Sequence, residues 1–152
     1  PKSAENYVKN LNMQETHFTT HIYKSIKQSP KPVTIIATGP LTNVALLIIN
    51  YPDIKAHIEK IVLMGGAIGK GNWGPVSEFN IEVDPEAASY VFNSNLPVYM
   101  VPINVTHQVL VTPEVIKSIE SLNTNLAKIL IEHLLFFGKS YQTMFSMPAP
   151  PL

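Results

Sequence analysis

Val33-Thr34-Ile35-Ile36-Ala37-Thr38-Gly39-Pro40, running on into Leu41 to Asn50, is the stretch that decides the fold. Val33 to Ala37 is a short, β-branched, uncharged run, the composition of a strand covered on both faces. Thr38-Gly39-Pro40 breaks it. Leu41 to Asn50 is then apolar around most of its circumference, with proline where a first helical turn tolerates it. The unit reads strand, tight turn, helix.

The same grammar recurs on either side. Upstream, Glu15 to Gln28 is mixed and polar with apolar residues at Phe18, Ile22 and Ile26, spaced four apart as one helical stripe. Downstream, Tyr51-Pro52-Asp53 ends the helix, Ile54 to Glu59 is expected as a short polar turn or helix, and Ile61 to Met64 is a second buried strand running into Gly65-Gly66. Asp84-Pro85-Glu86 starts a helix that reaches about Asn93, with Asp84 as N-cap and Pro85 at the first helical position. Val98 to Val101 is a third strand, Thr112-Pro113-Glu114 opens a capped helix, and Asn125 to Met144 is a long apolar-rich helix. Strands alternating with helices imply right-handed crossovers, hence an α/β fold with a mostly parallel sheet. The carboxyl ends of its strands, at Thr38, at Met64 to Ala67 and at Ile103 to Thr106, then share one edge, where open α/β sheets bind ligands.

Composition narrows the function. The 152 residues carry 11 basic and 11 acidic side chains for a net charge of zero, so there is no long-range field of the kind nucleic-acid or membrane-surface binders use. Every basic residue is lysine, which removes the forked guanidinium suited to phosphates. With no cysteine, thiolate chemistry is excluded. The first residues lack a secretory pattern and no apolar run is long enough to span a bilayer, so the expectation is a soluble, cytoplasmic protein. The sequon Asn104-Val105-Thr106 abuts an apolar strand expected to be buried, so glycosylation is not expected there.

The segment Met64 to Asn80 holds five of the chain's seven glycines. Glycine supplies positive φ and lets backbone approach a ligand, which makes the loop a site candidate. Two familiar readings fail: no helix follows for a dinucleotide pattern, and Lys70 is followed by glycine rather than the Ser or Thr of a mononucleotide loop. Glu78 and Asn80 flank Phe79, so an extended backbone would put both polar side chains on one face, a comb suited to a polyol such as a sugar. Trp73 and Phe79 are available to stack on a base, though packing is the commoner role of aromatics. Of the five histidines, His17, His21, His57 and His133 read as solvated or satisfied, while His107, just past a strand end, is a candidate for the crevice.

Taken together, Thr38-Gly39-Pro40-Leu41-Thr42-Asn43-Val44-Ala45, Met64-Gly65-Gly66-Ala67, Gly71-Asn72 and Glu78-Phe79-Asn80-Ile81-Glu82-Val83-Asp84-Pro85-Glu86-Ala87-Ala88 closely resemble the inosine-uridine nucleoside hydrolases in content, order and spacing, from Val33 to about Pro113. The resemblance implies a Rossmann-like core, hydrolysis of the N-glycosidic bond of a small-molecule ribonucleoside, and a homo-oligomer when full length. It implies a calcium ion that also binds the ribose hydroxyls, with Thr38 matching the threonine whose main-chain carbonyl is one ligand. Asn72, Glu78 and Asn80 match residues that hold the ribose, and Met64 matches a residue lining the same pocket. The departures are equally specific. Asp53 and Asp84 are the only aspartates, and neither resembles the family's metal-binding cluster, which belongs to a strand expected before Pro1; the family's catalytic His-Asp pair is expected after a Pro-Leu like Pro151-Leu152. On this reading residues 1 to 152 are the central part of a hydrolase domain, incomplete at both ends, with no catalytic residue of its own. One carbonyl without carboxylates does not hold calcium. Alone the chain is expected to be inactive, and the competing expectation is a catalytically dead remnant or interaction module on the hydrolase scaffold.

Overall fold

In this computed structural model residues 15–147 and 149–151 are described. The first elements are α1 (Phe18–Lys27), β1 (Val33–Ala37) and α2 (Thr42–Asn50), and after a 3-10 turn at Pro52–His57 comes β2 (Ile58–Met64). They are followed by α3 (Phe79–Glu82), α4 (Pro85–Phe92), β3 (Val98–Val101), α5 (Ile103–Thr106), α6 (Pro113–Glu120) and α7 (Asn125–Phe145). The three strands lie in the order β1-β2-β3. Both pairings are parallel, with Ile35 opposite Ile61, Ala37 opposite Leu63 and Met64 opposite Val101, so the α/β fold with a parallel sheet follows the alternation in the sequence.

β2 starts at Ile58, earlier than the apolar run alone predicts. Its charged residues Glu59 and Lys60 find partners on the neighbouring strands: the Thr34 hydroxyl donates to Glu59, and Lys60 Nζ lies 5.7 Å from the centre of the Tyr99 ring. The expected turn before it is the 3-10 turn, which closes at His57 rather than Glu59. α2 starts at Thr42, with Leu41 in the cap position, so Pro40 precedes the helix instead of opening it. Asp84 caps α4 as expected, its Oδ1 accepting the Ala87 N–H at 3.0 Å. Its Oδ2 accepts the Thr42 hydroxyl, which joins the start of α4 to the start of α2.

The described residues form two compact units divided between Val105 and Thr106. The first unit has its core on one face of the sheet, where Leu41, Leu47, Ile48, Ile54, Ile61, Leu63 and Val91 are buried, and Ile22 and Tyr23 of α1 pack against them. Each such side chain contributes about 1.5–3 kcal/mol by leaving water. The other face differs from the expectation of strands covered on both sides. Ile36 is 72% exposed and Tyr99 59%, because side chains alternate along a strand and α1, α2 and α4 pack against the opposite set.

β3 stops at Val101, and the expected strand end at Ile103 to Thr106 is the single turn α5. Asn104 is therefore exposed on a helical turn, and the argument from a buried strand against modification of the sequon does not hold. In the second unit Thr124 caps α7 by accepting the Ala127 N–H at 3.1 Å. Thr112 stands at the N-cap of α6 but makes no such bond. Thr112 is instead the foremost cause holding the Glu114 carboxyl below its ordinary range. Leu110 pairs with Pro151 in an isolated antiparallel bridge. Gly138 gives Pro150 room: a Cβ there would lie 3.3 Å from the proline ring.

Candidate functional site

β2 delivers Met64 to the carboxyl edge of the sheet, and the loop that follows returns to the same place as α3. Glu78 joins the two. It is 3% exposed, and its Oε2 accepts the N–H groups of Gly66 at 2.9 Å, Asn80 at 3.0 Å and Ile81 at 3.4 Å. A buried carboxylate needs such charge-assisted bonds to offset its lost hydration. Residue 78 itself is extended, but the chain turns helical at once, so the flat comb expected of Glu78 and Asn80 is instead the N-cap and first turn of α3. The two residues still come together, through helical geometry rather than strand alternation.

Asn80 donates from Nδ2 to the Met64 carbonyl at 3.0 Å and to the Met64 thioether at 3.2 Å. Asn72 Oδ1 accepts the Phe79 N–H at 2.9 Å. The loop between is a tight hairpin, with the N–H groups of Asn72 and Trp73 both on the Ser77 carbonyl, at 3.0 and 2.9 Å. Gly71 is required for it, since a Cβ there would stand 1.8 Å from the Ser77 oxygen. Gly66, at φ +76°, is required for another reason: it aims its N–H at Glu78 in a conformation that side-chain residues avoid. Trp73 and Phe79 meet edge to face with ring centres 5.3 Å apart, and both are exposed.

Asn72, Glu78 and Asn80 thus share one design, in which one end of each polar group is tied to backbone. Among the described residues nothing takes the other end: the Asn72 amide N–H₂, the second Glu78 oxygen or the Asn80 carbonyl oxygen. One donor and two acceptors of fixed direction can bind the hydroxyls of a sugar. Thr38 follows Ala37, whose partner is Leu63, so it lies at the same edge beside Met64.

His107 is not at a strand end. It follows α5 in the second unit, its Nε2 buried with no hydrogen-bond partner among the described residues and its ring edge-on to Tyr141 at 6.2 Å. His17, His57 and His133 have local partners in Thr19, Lys27 and the Ile129 carbonyl. Among the described residues no three His, Asp or Glu side chains are grouped to hold a metal. The aspartates are engaged elsewhere, Asp53 by Tyr23 and Lys27 and Asp84 by Thr42 and Ala87, so the described residues do not by themselves fit a calcium ion.

The profile of the inosine-uridine preferring nucleoside hydrolases matches residues 2–152. The chain belongs to that family. It is 52% identical over 114 residues to a pyrimidine-specific ribonucleoside hydrolase, RihA, of Shewanella sp. strain ANA-3, covering 75% of this chain and 36% of the relative. Among solved hydrolases, a purine-preferring ribonucleoside hydrolase from Gardnerella vaginalis superposes with a TM-score of 0.81 at 37% identity, over 90% of this chain and 44% of that one. A plant nucleoside hydrolase superposes at 0.82 with 28% identity, over 93% of this chain and 45% of that one. The chain thus spans about a third of the length of the curated relatives it matches.

Sequence reasoning missed the backbone half of this site. The Gly66 N–H, the Met64 carbonyl and the Ser77 carbonyl orient the polar side chains, and Asn104 holds Ile68. For the first three the only signal in the sequence was the density of glycines.

Proposed function

We propose that the whole protein hydrolyses the N-glycosidic bond of ribonucleosides to free base and ribose, and that Met64, Asn72, Glu78 and Asn80 are its ribose-holding segment. The observation that supports this is the set of three polar side chains, each braced by backbone at one end and uncommitted at the other. The relatives named above are described as pyrimidine-specific in one case and purine-preferring in another. Their substrates have the ribose in common, which is the part a shared segment can serve.

In the reaction water forms a bond to the anomeric carbon as the bond to the base nitrogen breaks. The electron pair leaves with the base, and a water proton completes the base. This chain's residues act on the sugar. Asn72 donates to a hydroxyl, while Glu78 and Asn80 accept from hydroxyls, holding the ring as it flattens. By the family resemblance the Thr38 carbonyl would be one ligand of a calcium ion, and such an ion would supply a binding point for the ribose hydroxyls. Carboxylate ligands for it would come from outside the described residues, and none of the steps assigned here runs through it. No described residue is assigned the proton transfers.

Nuclear magnetic resonance of the chain tests the reading. Uridine, inosine and ribose should each shift the side-chain amides of Asn72 and Asn80, whereas uracil and hypoxanthine should not. A response to the free bases alone would refute it.

A further inference from the structure

Where β2 ends, its exit is tied to the exit of β3 in successive steps. The Gly65 N–H donates to the Val101 carbonyl at 3.2 Å, and the Ile103 N–H donates to the Gly66 carbonyl at 3.0 Å. The next tie is made by a side chain. Asn104 Oδ1 accepts the Ile68 N–H at 2.7 Å, and its Nδ2 donates to the Ile68 carbonyl at 2.9 Å. A planar amide bonded both ways to one residue supplies the pair of bonds that a neighbouring strand would give. The Ile68 side chain is 71% exposed and adds little apolar anchoring, so this clasp is what fixes its backbone. Beyond it the chain leaves for the hairpin that carries Asn72 and Ser77.

Gly66 lies inside the clasped stretch. Its carbonyl is held by Ile103 and its N–H is given to Glu78 Oε2 at 2.9 Å. The Gly66 N–H comes from another segment of chain, whereas Asn80 and Ile81 belong to Glu78's own helix. It therefore sets where the carboxylate points relative to β2. We propose that Asn104 is a positioning residue for the Glu78 carboxylate: by clasping Ile68 it keeps Gly66 against β3, and so keeps the second carboxylate oxygen turned to the sugar. This rests on the reading of Glu78 as a ribose-holding group, but the clasp can be tested apart from it.

The test compares the chain with Asn104→Ala and Asn104→Asp by amide hydrogen exchange, the Glu78 carboxyl ¹³C resonance and uridine titration. In Asn104→Ala, protection of Gly66 and Ile68 should fall at least about tenfold, from the two lost hydrogen bonds, while Ile61 in mid-strand is unchanged. The Glu78 resonance should move, and uridine affinity should weaken by about tenfold. Asn104→Asp keeps the acceptor for Ile68 but turns a second oxygen on its carbonyl, so it should behave like Asn104→Ala at neutral pH. As pH falls through the carboxylate range the protonated group donates again, and Ile68 and Gly66 protection should recover toward that of the unsubstituted chain measured at the same pH. A residue needed merely to fold α5 gives no such recovery. Unchanged Gly66 protection in both variants, or no recovery in acid, overturns the proposal. If Gly66 and Glu78 respond as stated while the unsubstituted chain does not bind uridine, the clasp stands and the ribose reading falls.

Discussion

Asn80 gives its side-chain amide to Met64 twice over, 3.0 Å to the carbonyl and 3.2 Å to the thioether, and this fixes which end of the amide faces outward. The carbonyl oxygen is presented and the N–H₂ turned in. A residue so held is preorganised to accept from a hydroxyl, as the proposed ribose-holding role requires.

If the proposed function holds, Asn80→Ala and Glu78→Gln in the whole protein should each lower kcat together with kcat/KM, by roughly 2 to 4 kcal/mol where the bonds strengthen as the ring flattens. Glu78→Gln keeps an oxygen for Gly66, Asn80 and Ile81, so its loss should be in the outward acceptor rather than the fold. Both substitutions should act alike on inosine and uridine, which share their sugar. Steady-state kinetics on the two nucleosides checks this; a change of more than about tenfold in their ratio with kcat intact would mean that the residues read the base.

Gly71→Ala should open the loop hairpin without unfolding the sheet. The new Cβ would stand 1.8 Å from the Ser77 oxygen and 2.4 Å from its carbonyl carbon, both backbone atoms that cannot swing aside. Asn72 would then leave the Phe79 N–H, and ribonucleoside affinity should fall at least about tenfold. Because the hairpin lies outside the buried core, the melting temperature should barely move. A lowered melting temperature with affinity intact would contradict the placement of Asn72 by this turn.

Asp53 makes acid stability measurable at one side chain. The Tyr23 hydroxyl, and after it Lys27, hold its carboxyl below the ordinary range. A lowered folded value means that the contribution is present above the unfolded carboxyl pKa, about 3.9, and is lost as pH falls through the folded one. The same bond raises the Tyr23 phenol, so that contribution is present below its ordinary 10.0 and is lost as pH rises past the raised value. The pair is exposed and its effect is small. Asp53→Asn should therefore flatten the acid limb of melting temperature against pH only in part, leaving the slope due to Asp84, which Thr42 holds low, and to Glu114. Identical acid limbs for the two proteins would remove Asp53 from the account.

The strands and the Asp84 cap were legible because they depend on near neighbours. An uncharged β-branched run and an Asp-Pro-Glu start carry their physics within a few residues. Glu78 and Asn80 adjoin at the start of α3 and not in the extended comb expected, since spacing alone does not distinguish such a comb from an N-cap whose partner, Gly66, is 12 residues away in sequence. Asn104 was placed at the carboxyl end of a strand, beside a buried apolar run, yet Pro102 interrupts the ladder and a helical turn follows. Ile36 was read as buried from its composition, but whether a second layer covers a strand is decided by other segments.

That open face leads to a prediction about association. Ile36, Val62 and Tyr99 are register partners across all three strands and form one row, with Ile36 and Tyr99 exposed at its ends. Parallel sheets are ordinarily covered on both faces, and an apolar row left to water favours self-association. Sedimentation of the chain should show reversible association that grows with concentration. Ile36→Lys should weaken it while costing no more than about 0.5 kcal/mol of stability, as expected at an exposed position. Ile61→Ala, on the buried face of the same sheet, should instead cost about 2 to 5 kcal/mol and leave the open row intact. If the chain sediments as a monomer at every concentration, or if Ile36→Lys associates as strongly as the unsubstituted chain, this face is not the surface through which it self-associates.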